Sequence, residues 1–208
     1  MADLRALTAA IEVGDRATAV RSTGEAIDDG VDPQAILDAM TAAMAAVGAR
    51  FSANEIYVPE MLISARAMKE SAALLEPILA GAGITPETTA VIGTVKGDLH
   101  DIGKNLVSMM WKGANIEVID LGTDVAPERF VDAAREHRAR IVGISALLTT
   151  TMVGMKEVVS AVRAAGLGDV KVIVGGAPVT AEFAAQIGAD GHAPDAASAV
   201  DVVNRLKT

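Results

Sequence analysis

The chain has 208 residues, 51% of them hydrophobic and 2% aromatic, with a formal net charge of -9 and no cysteine. Nucleic acid and anionic membranes are disfavoured as partners, because an acidic surface repels both. Without cysteine the chain has neither a disulfide framework nor a thiolate metal site, which fits the reducing cytoplasm. The longest uncharged run, 141–155, is too short to cross a membrane. The composition therefore predicts a cytoplasmic protein that binds neither nucleic acid nor membrane.

Residues 1–86 carry helical patterns only. Apolar residues recur at helical spacing in four segments, and short polar or glycine-containing breaks separate them. Asp32 should cap the third helix with Pro33 in its first turn, and Pro59 should open the fourth. The pattern predicts an N-terminal four-helix bundle. Taken alone, such a bundle is a stabilising cap or a dimerisation module.

Residues 87–208 alternate between predicted strands and helices. The strands are expected at 90–95, 118–121, 141–144, 170–174 and 190–193. Strands separated by helices form parallel β-α units, so the pattern predicts an α/β domain with a doubly wound, five-stranded parallel sheet. This Rossmann-like, flavodoxin-like domain would follow the helical bundle through a glycine-containing linker at 81–86.

The loop after the first predicted strand carries the strongest chemical signal. His100 lies where open parallel sheets bind their ligands, at the carboxyl end of a strand, and Asp98 is close enough to orient its imidazole. A phosphate-binding loop does not fit, because the two glycines of the loop are too far apart and no Ser or Thr follows its lysine. A dinucleotide fingerprint is also absent. From the residues alone, a plain structural histidine remains the alternative.

Three motifs give this loop a family context. The segment 95–105, VKGDLHDIGKN, resembles the D-x-H-x-x-G signature of cobalamin-binding domains, which occur in methionine synthase and in the corrinoid subunits of methyltransferase systems. Ser145-Ala146-Leu147 and Gly175-Gly176 are similar to the two further motifs of that family and follow in the same order. The resemblance implies a cobalamin or related corrinoid cofactor, bound base-off, with His100 as the lower ligand of cobalt.

The same resemblance implies roles for the surrounding residues. Asp98 would hold the imidazole proton and Thr151 would continue the relay, so His100, Asp98 and Thr151 form the expected catalytic group. Gly103 would leave room for the nucleotide tail of the cofactor, and the Gly-Gly turn would let the backbone approach it. The expected cofactor contacts in this domain are Gly97, Asp98, Leu99, His100, Asp101, Ile102, Gly103, Ser145, Leu147, Thr149, Gly175, Gly176, His192, Ala193 and Ala196.

The helical bundle resembles the cap that covers the upper corrinoid face in the same family. The resemblance rests on the segments 57–60, YVPE, and 64–69, SARAMK. It implies that Tyr57 and Met61 face the cofactor. Methionines at helical spacing are equally typical of core packing, because the flexible thioether fills irregular gaps.

The function that the resemblance implies is that of a methyl carrier. The protein would accept a methyl group on Co(I) from a substrate:corrinoid methyltransferase and deliver it to a second methyltransferase, with tetrahydrofolate or a thiol as acceptor. These transferases, a reductive activase and a second copy of the chain are the expected partners. The chain is too short for the ~250-residue barrel typical of the transferases, so it should not be catalytic alone.

Two other functions are compatible with a corrinoid site. One is a cobalamin-dependent regulator or photoreceptor, and the other is the small subunit of an adenosylcobalamin mutase. Regulators of this kind tend to carry a tryptophan in the helical cap. The only tryptophan here, Trp111, lies outside the predicted bundle. The methyl donor stays open among methylamines, methanol, betaines and aryl methyl ethers.

Overall fold

The structure is a computed structural model that describes residues 4–86 and 88–207. Two compact units divide the described chain. The first contains the described residues up to 86 together with 113–115, and the second contains the remainder.

Four helices form the first unit. They are α1 (Leu4–Glu12), α2 (Arg16–Asp28), α3 (Pro33–Ser52) and α4 (Val58–Gly81). Asp32 caps α3 as predicted, because its carboxylate accepts a hydrogen bond from the backbone N–H of Gln34 at 3.2 Å and Pro33 follows it. The fully buried side chains of this unit are mostly aliphatic and include Leu7, Ile11, Ile36, Met40, Met44, Met61 and Leu75. The predicted four-helix region is therefore confirmed.

Helix α3 is the one helix in the described ranges that is long and apolar enough to cross a membrane, by length and composition. Its residues Ile36, Met40, Met44 and Val47 are all fully or almost fully buried within the protein. The helix packs against α1 and α4. Burial of its apolar residues against neighbouring helices accounts for the composition of this helix.

The second unit is built on a parallel sheet in the order β2-β1-β3-β4-β5. This is the flavodoxin-like order, so the predicted fold class is confirmed. Its elements are β1 (Thr88–Thr94), α5 (Ile102–Gly113), β2 (Ile116–Asp120), α6 (Pro127–Glu136), β3 (Ile141–Ser145), α7 (Val153–Ala164), β4 (Lys171–Gly175), α8 (Ala181–Ile187), β5 (Gly191–Ala193) and α9 (Ala196–Leu206).

The strand order places the candidate site. Strand β1 pairs with β2 on one side and with β3 on the other. Connections that leave β1 and β3 in opposite directions open a crevice between their carboxyl ends, which is where sheets of this type bind ligands. The loop that carries His100 leaves β1 at this point, and the loop that carries Leu147 and Thr151 leaves β3 beside it.

The observed strand bounds differ from the predicted ones by one or two residues, and the bounds of the linker differ too. Strand β2 begins at Ile116 instead of residue 118, directly after Asn115, whose φ of 57° ends the preceding helical turn. The predicted linker begins too early, because Gly81 is the last residue of α4. Gly83 then adopts a φ of +73°, a left-handed conformation that favours glycine and terminates the helix.

Candidate functional site

The centre of the site is the buried carboxylate of Asp98. Its Oδ1 accepts a hydrogen bond from the backbone N–H of His100 at 3.0 Å and lies 2.8 Å from the Nδ1 atom of the same residue. Its Oδ2 accepts hydrogen bonds from the loop after β3: from the Leu147 N–H at 2.8 Å, the Leu148 N–H at 3.3 Å and the Thr151 hydroxyl at 2.7 Å. The carboxylate thereby joins the loops after β1 and β3, which are about fifty residues apart in sequence.

The hydrogen bonds determine the charge of Asp98. Burial alone raises the pKa of this carboxyl group. Hydrogen bonds from the backbone of Leu147 and His100 and from the side chains of Thr151 and His100 outweigh burial and hold the pKa well below its usual value. Asp98 is therefore ionised at neutral pH and only accepts hydrogen bonds.

An ionised Asp98 fixes the tautomer of the His100 ring. Because the carboxylate offers no proton, the ring nitrogen beside it, Nδ1, must carry the hydrogen. In a neutral imidazole the other nitrogen, Nε2, then has a free lone pair. No hydrogen bond from the described part of the chain engages Nε2, and half of the His100 side chain is exposed. His100 thus presents a metal-binding atom at the sheet edge.

Exposed apolar side chains lie in or directly after the loop that carries this imidazole and the loop after β3. Leu99 and Ile102, on either side of it in sequence, are 74% and 75% exposed. The loop after β3 and the start of α7 add Leu147, Leu148 and Val153, which are also exposed. Five large apolar side chains at one sheet edge form a surface suited to a broad, mostly apolar ligand.

Contacts with neighbouring backbone segments explain why glycine occupies both positions of the turn after β4. Gly176 has a φ of +138°, and a Cβ atom there would lie 1.9 Å from the carbonyl oxygen of Ala146. A Cβ atom on Gly175 would lie 2.9 Å from the carbonyl oxygen of Ala193. Close contact between neighbouring backbone segments therefore already requires both glycines. Their expected role in the approach of the cofactor stays a prediction.

The remaining predicted contacts lie at or near the same edge, with different degrees of exposure. Gly103 is exposed, and a Cβ atom there would point into open space. His192 is half-buried, and its Nε2 lies 3.0 Å from the carbonyl oxygen of Val179. Of the others, Gly97, Asp101 and Thr149 are exposed, Ser145 is intermediate, and Ala193 and Ala196 are buried.

The two cofactor contacts predicted from the helical region differ sharply in exposure. Tyr57 is 65% exposed, whereas Met61 is completely buried. The position of Met61 favours the alternative interpretation, in which the methionines of the bundle fill its core.

Four residues whose side chains form hydrogen bonds in or beside the His100 loop were not identified from the sequence. Lys104 is buried, and its Nζ donates to both carboxylate oxygens of Asp120, at 2.7 and 2.6 Å. Asp124 accepts a hydrogen bond from the Gly97 N–H at 2.7 Å. Thr94 donates a hydrogen bond to the carbonyl oxygen of His100 at 3.0 Å. The one sequence signal was the placement of Thr94, Asp120 and Asp124 at or just after strand ends.

The sheet, the crevice and the free imidazole nitrogen define a ligand-binding α/β protein with a candidate metal ligand. Comparison with known proteins specifies the class. The family model described as "B12 binding domain" matches residues 88–201, and a second model with the same description matches residues 3–76. The chain belongs to the B12-binding corrinoid proteins, and its cofactor is a cobalamin or a related corrinoid.

Individual relatives match almost the whole chain. A corrinoid protein of Desulfitobacterium hafniense (strain Y51) is 39% identical over 99% of this chain and 98% of its own length. Trimethylamine corrinoid protein 2 of Methanosarcina acetivorans is 42% identical over 93% of this chain and 89% of its own length. A chain in the crystal structure of the methanol:cobalamin methyltransferase complex of Methanosarcina barkeri superposes with a TM-score of 0.84 at 30% identity, over 98% of this chain and 78% of that one.

Proposed function

We propose that the protein is a methyl carrier that binds its corrinoid base-off, with His100 as the lower ligand of cobalt. It accepts a methyl group from a substrate:corrinoid methyltransferase and delivers it to a second methyltransferase, with tetrahydrofolate or a thiol as acceptor. The observation that carries the proposal is the Asp98–His100 pair, which leaves Nε2 free at the ligand-binding edge of the sheet.

The residues at this edge fit a corrinoid. A neutral imidazole with a free Nε2 is a common ligand for transition metals, and a carboxylate on its other nitrogen increases its basicity. The exposed apolar side chains beside it, among them Leu99 and Ile102, suit the face of a macrocycle. Open space at Gly103 leaves room for the part of the cofactor that base-off binding displaces.

The side chains of this site determine which nitrogen of the His100 ring carries a proton. When bound, the corrinoid supplies a cobalt atom that takes up a methyl group and releases it. Asp98 holds the proton on Nδ1, so that Nε2 is available as a ligand. If His100 leaves the metal and takes a second proton, the ionised carboxylate stabilises the imidazolium. Thr151 donates a hydrogen bond to the second oxygen of Asp98 and keeps the carboxylate oriented.

The relatives support a methylated amine or methanol as the donor. One of them is named as a trimethylamine corrinoid protein, and another is part of a methanol:cobalamin methyltransferase complex. A carrier of this kind needs a methyltransferase on each side of the transfer and a reductive activase that returns the cofactor to its reactive state. We include these three proteins among its partners, and a second copy of the chain as a further one.

The test is methyl transfer by the loaded protein. The protein is reconstituted with hydroxocobalamin, reduced, and supplied with each of trimethylamine, dimethylamine, monomethylamine and methanol together with the matching methyltransferase. We expect one donor system to convert the visible spectrum to that of the methylated cofactor. The His100→Ala variant, loaded in the same way, should be methylated more slowly and should retain cobalamin less well.

Controls separate carrier function from mere binding. The exposed residue Asp132 on α6, which is not among the predicted site residues, offers a variant, Asp132→Asn, that leaves the Asp98–His100 pair intact and should react like the wild type. A loaded, reducible protein that no donor system methylates would contradict the proposed donors. A His100→Ala spectrum identical to that of the wild type would contradict the proposed ligand.

A further inference from the structure

His100 is held through three of its own atoms. Its backbone N–H and its ring Nδ1 both meet Oδ1 of Asp98, at 3.0 and 2.8 Å. Its carbonyl oxygen accepts a hydrogen bond from Oγ1 of Thr94 at 3.0 Å. The first two contacts share one acceptor atom, so together they would still allow the residue to turn about that atom. The contact with Thr94 is a separate anchor that opposes this rotation.

Thr94 is itself rigidly placed. It is the last residue of β1 and is fully buried. Its backbone N–H donates to the carbonyl oxygen of Gly122, and its carbonyl oxygen accepts from the Val125 N–H, both at 3.0 Å. On the other side it lies opposite Ser145 in β3. The hydroxyl group therefore holds the peptide unit that follows His100 in a fixed position relative to the sheet.

The first half of the loop has other ties. Asp124 accepts a hydrogen bond from the Gly97 N–H at 2.7 Å and donates its own N–H to the carbonyl oxygen of Asp98 at 3.0 Å. These contacts hold residues 97 and 98. They do not reach the carbonyl group of His100, which is the group that Thr94 binds.

We propose that Thr94 is a positioning residue for the lower ligand of the corrinoid. Its hydroxyl fixes the peptide unit after His100, and this sets the direction in which Nε2 points. Thr94 acts through His100 and does not touch the cofactor. The inference rests on the proposed function, because it takes His100 to be the ligand of cobalt.

Three variants isolate the hydroxyl group. Thr94→Val removes the donor and keeps the branched shape that strands favour, so the fold should be retained. Thr94→Ser restores the donor. Thr88→Val makes the same chemical change at another buried threonine of β1, at the opposite end of the strand, and serves as the matched control. Urea unfolding of the apoproteins shows whether each variant is folded, and Thr94→Ala replaces the valine variant if that one is not.

The first readout uses protein loaded with hydroxocobalamin. We expect Thr94→Val to release cobalamin about fivefold faster than the wild type, which is the factor that one net hydrogen bond supplies. Its visible spectrum should shift toward that of His100→Ala. Thr94→Ser and Thr88→Val should match the wild type in both measurements. A Thr94→Val protein that also matches Thr88→Val in both would overturn the proposal.

The second readout needs no cofactor and separates this inference from the proposed function. If His100→Ala leaves the spectrum of the loaded protein unchanged, the ligand assignment fails. The role of Thr94 is then tested in the apoprotein by ¹⁵N NMR of the His100 ring at one fixed pH. We expect a proton on Nδ1 in the wild type and in Thr94→Ser, and a mixture of tautomers in Thr94→Val. Identical ring spectra in all three would overturn the positioning role.

Discussion

The helical unit and the carboxyl edge of the sheet are stabilised in different ways. In the helical unit, buried aliphatic side chains such as Leu7, Met40 and Met44 fill the space between helices. At the sheet edge, single polar atoms hold the loops, and the Asp98 carboxylate alone joins two of them. Apolar packing tolerates changes of shape at constant volume, whereas a hydrogen-bonded carboxylate tolerates little chemical change. The edge should therefore be far more sensitive to conservative substitution than the bundle.

The largest effect is expected at the Gly-Gly turn. Gly176→Ala places a Cβ atom 1.9 Å from the carbonyl oxygen of Ala146, at a φ of +138°. We expect a loss of more than about 4 kcal/mol in the free energy of unfolding, or failure to fold, because neither backbone segment can move away without breaking the sheet. Gly168→Ala is the control, since a Cβ atom there meets open space. Urea unfolding that shows equal, small losses for both would contradict the close contact.

The next prediction compares one conservative change in each region. Asp98→Asn keeps the size of the buried side chain but replaces one accepting carboxylate oxygen with an NH₂ group, which is a donor and would face other donors. This change should cost about 3 kcal/mol of unfolding free energy. Met44→Leu in the bundle nearly conserves volume and should cost less than about 1.5 kcal/mol. Urea unfolding of the two apoproteins measures both values. If the bundle variant is as unstable as the edge variant, the expected difference in sensitivity between the two regions is contradicted.

The pH dependence of stability gives a smaller and more specific effect. The pKa of Asp98 is lower in the folded protein than in the unfolded chain, where it is about 4. Its contribution to stability is therefore fully present above that value and is lost as the pH falls below it. The difference in unfolding free energy between the wild type and Asp98→Asn should be constant near neutral pH and shrink between about pH 5 and about pH 3. A difference that does not change with pH would show that Asp98 is not held ionised.

The sequence was sufficient for the parts of the molecule that follow periodic patterns. The four helices, the α/β alternation and the placement of His100 at the carboxyl end of β1 all reflect local spacing of apolar residues and turn signals. The contacts of Lys104 with Asp120 and of Thr94 with His100 depend on distances across the sheet, which no local pattern encodes. The same reason explains why the sequence did not reveal the backbone contacts of Gly175 and Gly176, whose neighbours Ala193 and Ala146 are brought close only by the fold.

The central claim is that a nitrogen of His100, and not one of the cofactor's own base, is the lower ligand of cobalt. The most direct measurement is electron paramagnetic resonance of the loaded protein in its Co(II) state, prepared with ¹⁵N-labelled histidine and unlabelled cobalamin. Our account predicts that the axial nitrogen splitting changes from the triplet of ¹⁴N to the doublet of ¹⁵N. The doublet should persist in His192→Gln and disappear in His100→Ala. A triplet that persists in the labelled wild type would show that the nitrogen belongs to the cofactor, and would contradict the account.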